Sequence, residues 1–166
     1  MQEKNNKKDS FGERASGAIL KGLGSLLALI IAFGVVGALN RGKKPAKAAT
    51  AVSFPDKVVI EGLPRLAKQI NEGLPMMVDE QTRADSVVAG PKKKLTYNMT
   101  FVSMKPSDIS ADQLRELLEP KLRKEICTSD KVSGLRSDGV VWGYKYHDNQ
   151  GNVIAEIVIY PDDCKS

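Results

Sequence analysis

Nineteen consecutive residues, Gly22 to Asn40, carry no charge, and basic side chains stand on both sides of them. At about 1.5 Å per residue, a helix of this run reaches roughly 28 Å, close to the ~30 Å hydrocarbon core of a bilayer. In lipid a helix is the form that satisfies the backbone of such a run. The competing fate is a buried helix of a soluble domain, and the rest of the chain is too small to wrap it on all sides. The run therefore predicts a transmembrane signal-anchor over 22–40. A tail at 1–21 precedes it, and a linker at 41–51 and one folded domain at 52–166 follow it.

Val36-Gly37-Ala38 and Ala46-Lys47-Ala48 also offer cleavage-like spacing of small residues. The tail of twenty-one residues is long for a signal n-region, and Arg41, Lys43, Lys44 and Lys47 follow the run at once. An uncleaved anchor is the preferred reading. Charge alone does not orient it, because Lys4, Lys7, Lys8, Arg14 and Lys21 balance the four basic residues beyond the run. The two cysteines, Cys127 and Cys164, both lie in the C-terminal part. An even pair there predicts a disulfide, hence an oxidising compartment outside the cytoplasm, with the tail inside and the C-terminal domain outside. Gly24, Ala28 and Ala32 line one side of the span and offer a surface for weak self-association.

The basic excess belongs to the membrane flanks. Residues 1–51 hold nine of the twenty-five basic and three of the twenty acidic residues, leaving sixteen and seventeen for 52–166. The flanks suit the lipid headgroups of the inner membrane. The domain has no electrostatic reason to bind nucleic acid.

Within the domain, Ser53-Phe54-Pro55-Asp56 predicts a helix start, and Val59, Leu63, Leu66, Ile70 and Leu74 form one apolar face. Pro64 should kink or interrupt this helix. Arg83 to Ala89 reads as a strand. Leu95, Tyr97, Met99 and Phe101 alternate with polar residues as a second strand, joined to the first through Gly90-Pro-Lys-Lys-Lys94. Ser110 and Gln113 predict a capping box before Leu114, Leu117, Leu118, Leu122 and Ile126, with a kink at Pro120. A short helix is expected between Ser129 and Gly139. Val140 to His147 and Asn152 to Tyr160 are strands around the turn Asp148-Asn-Gln-Gly151. Trp142, Tyr144 and Tyr146 share one face; Val153, Ala155, Ile157 and Ile159 share another. The expected fold is α+β, two-layer: a four-stranded antiparallel sheet of two hairpins with helices on one face.

Few residues point to chemistry. The cysteines have neither redox-motif nor metal spacing. His147 stands alone beside a turn. Asp79, Glu80 and Asp85 surround Arg83; capping and a local Arg–Asp pair explain them better than a carboxylate site. Lys92-Lys93-Lys94 reads as a solvated hairpin tip that could also touch anionic lipid or glycan. Asn98-Met99-Thr100 matches a glycosylation sequon placed in mid-strand. No cofactor or metal is expected. Loop closure over the cysteine pair predicts about 4 kcal/mol of stabilisation.

Leu74-Pro-Met-Met-Val-Asp-Glu-Gln-Thr-Arg83, Asp85-Ser-Val-Val-Ala-Gly-Pro91 and Leu95-Thr-Tyr97 resemble a family of bacterial exported domains without assigned activity. Cys127-Thr-Ser129 and Pro161-Asp-Asp-Cys164 extend the likeness, which supports the Cys127–Cys164 bridge. Cys127-Thr, Gly139, Asp148-Asn-Gln-Gly151 and Cys164 are also similar to the disulfide-bearing pilotins of type II secretion, small chaperones of secretin rings. The chain departs from those in having no lipid-acceptor cysteine near the span. The anchor, the compact near-neutral domain and the missing catalytic groups point to a non-catalytic binding or assembly module with an envelope protein partner, and the likeness to bacterial exported domains makes it a bacterial inner-membrane protein with its C-terminal domain in the periplasm. The expected interaction surface is an exposed sheet edge or the loop Met76–Asp85, with Met76, Met77, Asp79, Glu80, Arg83 and Asp85 as candidate contacts. A pilotin-like chaperone is the alternative. A cell-wall hydrolase using Asp79, Glu80 and Asp85 is a distant third.

Overall fold

A computed structural model describes residues 54–105 and 108–165. The tail, the span, the linker and the small-residue stripe Gly24, Ala28 and Ala32 lie outside the described residues, as does Ser53. Among the described residues no helix is long and apolar enough to cross a membrane.

Helix α1 spans Asp56–Asn71, directly after Pro55, and buries Val59, Leu63, Ala67 and Ile70. Strand β1 is only Met76–Met77; β2 spans Thr82–Ala89 and β3 Lys94–Phe101. Helix α2 spans Ala111–Thr128. A 3-10 turn at Asp130–Val132 leads into the short α3, Ser133–Ser137. Strands β4, Val141–His147, and β5, Val153–Ile159, precede a last 3-10 turn at Pro161–Cys164.

The sheet corrects the expected topology. It has five strands in the order β1-β2-β3-β4-β5, and it is mixed. β2 pairs antiparallel with β3, and β4 with β5, as two hairpins. The hairpins meet through a parallel β3–β4 pair, Leu95 opposite Trp142 and Thr100 opposite His147. The cause is α2, which carries the chain back along the sheet so that β4 starts at the same end as β3. The fifth strand lies in the loop Met76–Asp85, where Met76 pairs with Ala84 and Met77 with Arg83.

Both interior prolines are accommodated: α1 runs through Pro64 and α2 through Pro120 without interruption. Each helix is held by its buried face on either side of the proline, Leu63 and Ala67 in α1 and Leu118 and Leu122 in α2. Such tertiary burial outweighs the one ladder bond a proline removes.

The register places Ala84, Val87, Leu95, Tyr97, Met99, Phe101, Trp142, Tyr144, Tyr146, Ala155, Ile157 and Ile159 on one face, and all are buried. α1 lies over β2 and β3 and α2 over β5, so the helices cover that face. Over β3 and β4 the interior is filled by stacked rings, Tyr97 on Tyr144 and Phe101 on Tyr146, each with centroids 5.3 Å apart. The hydroxyls of Tyr144 and Tyr146 are buried without a hydrogen-bond partner among the described residues. Burial raises the pKa of both phenols. Val153 was expected on the inner face; it is 53% exposed, because the β4–β5 register shifts at Tyr146/His147.

Candidate functional site: a cleft beside the disulfide

The Ser110 cap fixes where α2 begins. Its hydroxyl accepts from Gln113 N at 3.2 Å, and the Gln113 side chain accepts from Ser110 N at 3.0 Å. With Leu114, Leu118, Leu122 and Ile126 directed inward, helical periodicity brings Glu119, Arg123 and Cys127 onto one flanking ridge and Pro120 and Lys124 onto the next. At the far end, Arg136 Nη1 donates to the Ile126 carbonyl at 2.5 Å, tying α3 to the end of α2.

Cys127 and Cys164 are bonded, with Cα atoms 5.2 Å apart. The bridge draws the turn Pro161–Cys164 against α2. That turn closes on itself, since Tyr160 N donates to Asp163 Oδ2 at 2.8 Å and Asp163 N to Tyr160 O at 3.1 Å. Between turn and helix lies a cleft of about 350 Å³, lined by Glu119, Pro120, Arg123, Lys124, Cys127, Asp163 and Cys164. Arg123 Nη2 is held 2.6 Å from Glu119 Oε1, and Arg123 Nε is buried without a partner among the described residues. The lining carries two cations and two anions together with a proline and the disulfide. Such a surface suits a peptide segment that offers both backbone polar groups and an apolar side chain.

The loop nominated from the sequence is organised by its own contacts. Asp79 Oδ1 accepts from Gln81 N at 2.8 Å and Thr82 N at 2.7 Å. Asp85 accepts from Arg83 Nε and from Thr100 Oγ1, each at 2.5 Å. Glu80 is exposed, Met77 is 47% exposed, and Met76 is partly buried on the edge strand. Among the described residues no group of three His, Cys, Asp or Glu converges on a metal-sized site. His147 Nδ1 lies 3.2 Å from the Met99 carbonyl. Asn98 donates to Ser86 Oγ at 2.9 Å.

Two features carried no sequence signal. Asn71 side-chain atoms pair with both backbone groups of Val87 at the edge of β2. A shallow apolar groove of about 230 Å³ separates α1 from α3, with Phe54, Val58, Leu66 and Leu135 on its walls and Asp138 at its rim.

No protein-family model and no curated protein matches the chain. Solved structures do. A Pseudomonas aeruginosa protein described as secreted aligns over 68% of this chain and 98% of its own, with TM-score 0.55 and 16% identity. The type 2 secretion pilotin EpsS of Vibrio vulnificus aligns over 67% and 96%, with TM-score 0.53 and 16% identity. The pilotin AspS of Vibrio cholerae aligns over 66% and 94%, with TM-score 0.50 and 10% identity. At these identities the likeness is one of fold.

Proposed function

We propose that this chain is a non-catalytic binding module of the bacterial envelope. Residues 22–40 hold it in the inner membrane, its domain faces the periplasm, and it receives a segment of an envelope protein in the cleft between α2 and the C-terminal turn. The observation that carries this reading is the cleft itself. The Cys127–Cys164 bridge joins its two walls, and its charges of both signs can fix the register of a peptide.

A specific form of the reading is a pilotin-like role, in which the segment is the C-terminal part of a secretin. The fold shared with EpsS and AspS supports it. The test is binding of a fluorescent secretin C-terminal peptide to the full chain in detergent or nanodiscs. The expected result is saturable binding that weakens about tenfold on Arg123→Glu and on reduction of the bridge. If neither that peptide nor any envelope protein crosslinks to a photoreactive group placed at Lys124, the binding-module reading is wrong. If other envelope proteins crosslink there and the peptide does not bind, only the pilotin form is removed.

A further inference from the structure

Three features meet where the described chain begins. First, Phe54 and Val58 are 52% and 53% exposed. With Leu66 and Leu135 they form the apolar groove between α1 and α3. Their position is fixed, because Phe54 N donates to Asp138 Oδ1 at 3.0 Å. Second, the basic turn Gly90–Lys94 is fastened to the same end. Lys93 Nζ lies 2.7 Å from Asp56 Oδ1, and Val141 N donates to the Lys93 carbonyl at 2.7 Å. Lys92 is exposed beside it, with φ of 62° turning it at the tip. Third, this end follows the uncharged run. Residues 41–53, thirteen in number, separate Asn40 from Phe54. Fully extended they reach at most about 45 Å, and four of them are basic.

We propose that this end of the domain rests on an anionic bilayer, with Phe54 and Val58 entering the headgroup layer and Lys92 against lipid phosphates. The proposal rests on the anchor reading of residues 22–40. A tether of this length holds the patch at high local concentration near the membrane, so a small apolar area suffices where a free domain would need a larger one. Apolar side chains next to an exposed lysine are the kind of surface such a layer takes up. Of the ionic groups near the patch, Asp56 is paired with Lys93 and Glu61 lies 3.9 Å from Lys57, while Asp138 keeps its charge at the groove and spends one carboxylate oxygen on the Phe54 amide. The contact would fix the domain's orientation, presenting to the periplasm the faces that do not adjoin α1's first turn.

The test uses the full chain carrying Phe54→Trp in phosphatidylcholine vesicles with and without phosphatidylglycerol. Trp142 is 1% exposed in the core and serves as the internal reference for folding. The expected result is a chain that floats with the vesicles and whose added indole is quenched about twofold or more by lipids brominated at shallow acyl carbons. Quenching should be stronger with phosphatidylglycerol, and Lys92→Glu should weaken membrane contact roughly fivefold or more. Val58→Asp should abolish the quenching while Trp142 emission stays unchanged. Flotation without quenching overturns the proposal and leaves the anchor standing. A chain that does not float overturns both. Emission that shifts with the protein-to-lipid ratio and ignores bromine overturns it in favour of contact between two copies of the chain.

Discussion

The Asn71 side chain pairs with Val87 as a neighbouring strand would: its Nδ2 donates to the Val87 carbonyl at 2.8 Å, and its Oδ1 accepts from the Val87 N–H at 2.7 Å. β1 reaches only Ala84 along this edge, so a side chain from the end of α1 covers the next stretch of β2. The exposed edge expected as an interaction surface is thus partly closed, which is one way sheets limit edge-to-edge association.

Asn71→Ala removes both bonds and leaves the backbone of Val87, a residue 2% exposed, without its partner. The expected loss is about 1–3 kcal/mol in urea unfolding. Association should rise at high concentration, since the edge is then open, and static light scattering reads that directly. An Asn71→Ala variant as stable and as monodisperse as the parent would show that water replaces the amide without cost.

The bridge between Cys127 and Cys164 closes a separation of 37 residues. Replacing both cysteines by alanine should lower unfolding free energy by about 4 kcal/mol if chain entropy dominates. Locally, hydrogen exchange should quicken in Pro161–Cys164 and leave the β3–β4 pair protected. Loss of protection throughout the sheet would mean that the turn belongs to the cooperative core.

Much of this architecture is written in periodicity. Alternation in β3 and the leucine stripe of α2 are read directly from residue types, and the Ser110–Gln113 box is read from spacing. Periodicity says which face is buried and nothing about which strand lies beside which. The parallel pairing of β3 with β4 follows instead from a helix standing between them, a connectivity argument that the two-hairpin expectation passed over. Met76–Met77 is too short to show any period. Pro64 and Pro120 look like interruptions because local sequence cannot register the burial of Leu63, Ala67, Leu118 and Leu122. The disulfide was legible because only two cysteines exist. The cleft beside it was not: Glu119, Arg123 and Lys124 look like any solvated helix flank until the C-terminal turn is brought against them.

The buried hydroxyls of Tyr144 and Tyr146 make an unusual core. Removing a buried polar group that has no partner relieves a desolvation penalty. Tyr144→Phe and Tyr146→Phe should therefore leave stability unchanged or raise it by up to about 1 kcal/mol in denaturant titration. Tyr144→Ala, which empties the stacked space beside Tyr97, should lose about 3–5 kcal/mol. A loss of more than about 1 kcal/mol in either phenylalanine variant would reveal a bound water on that hydroxyl.

Asp148 should contribute to the acid limb of stability. The residue is 1% exposed at the head of the β4–β5 turn. Burial alone would raise its pKa, and that effect is overcome. The Asn152 side chain and the backbone amides of Asn152, Gln150 and Gly151 donate to the carboxylate and lower the pKa below its ordinary 3.8. Gln150 N and Asn152 N donate to Oδ1 at 2.8 and 2.9 Å. A folded pKa below the unfolded one gives stability that is fully present above pH 3.8 and lost as pH falls through the folded value. Asp148→Asn should therefore lower Tm at neutral pH and flatten its decline below pH 3.8. Glu156 moves in the same direction, chiefly through its hydrogen bond with Lys94 at 2.7 Å. That pair is an ion pair at a partly exposed site, so salt should weaken it, whereas neutral amides hold Asp148 and should keep its share of the acid response in high salt. Thermal melts across acidic pH at two ionic strengths separate the two carboxylates. An acid limb unchanged by Asp148→Asn would remove Asp148 from this role.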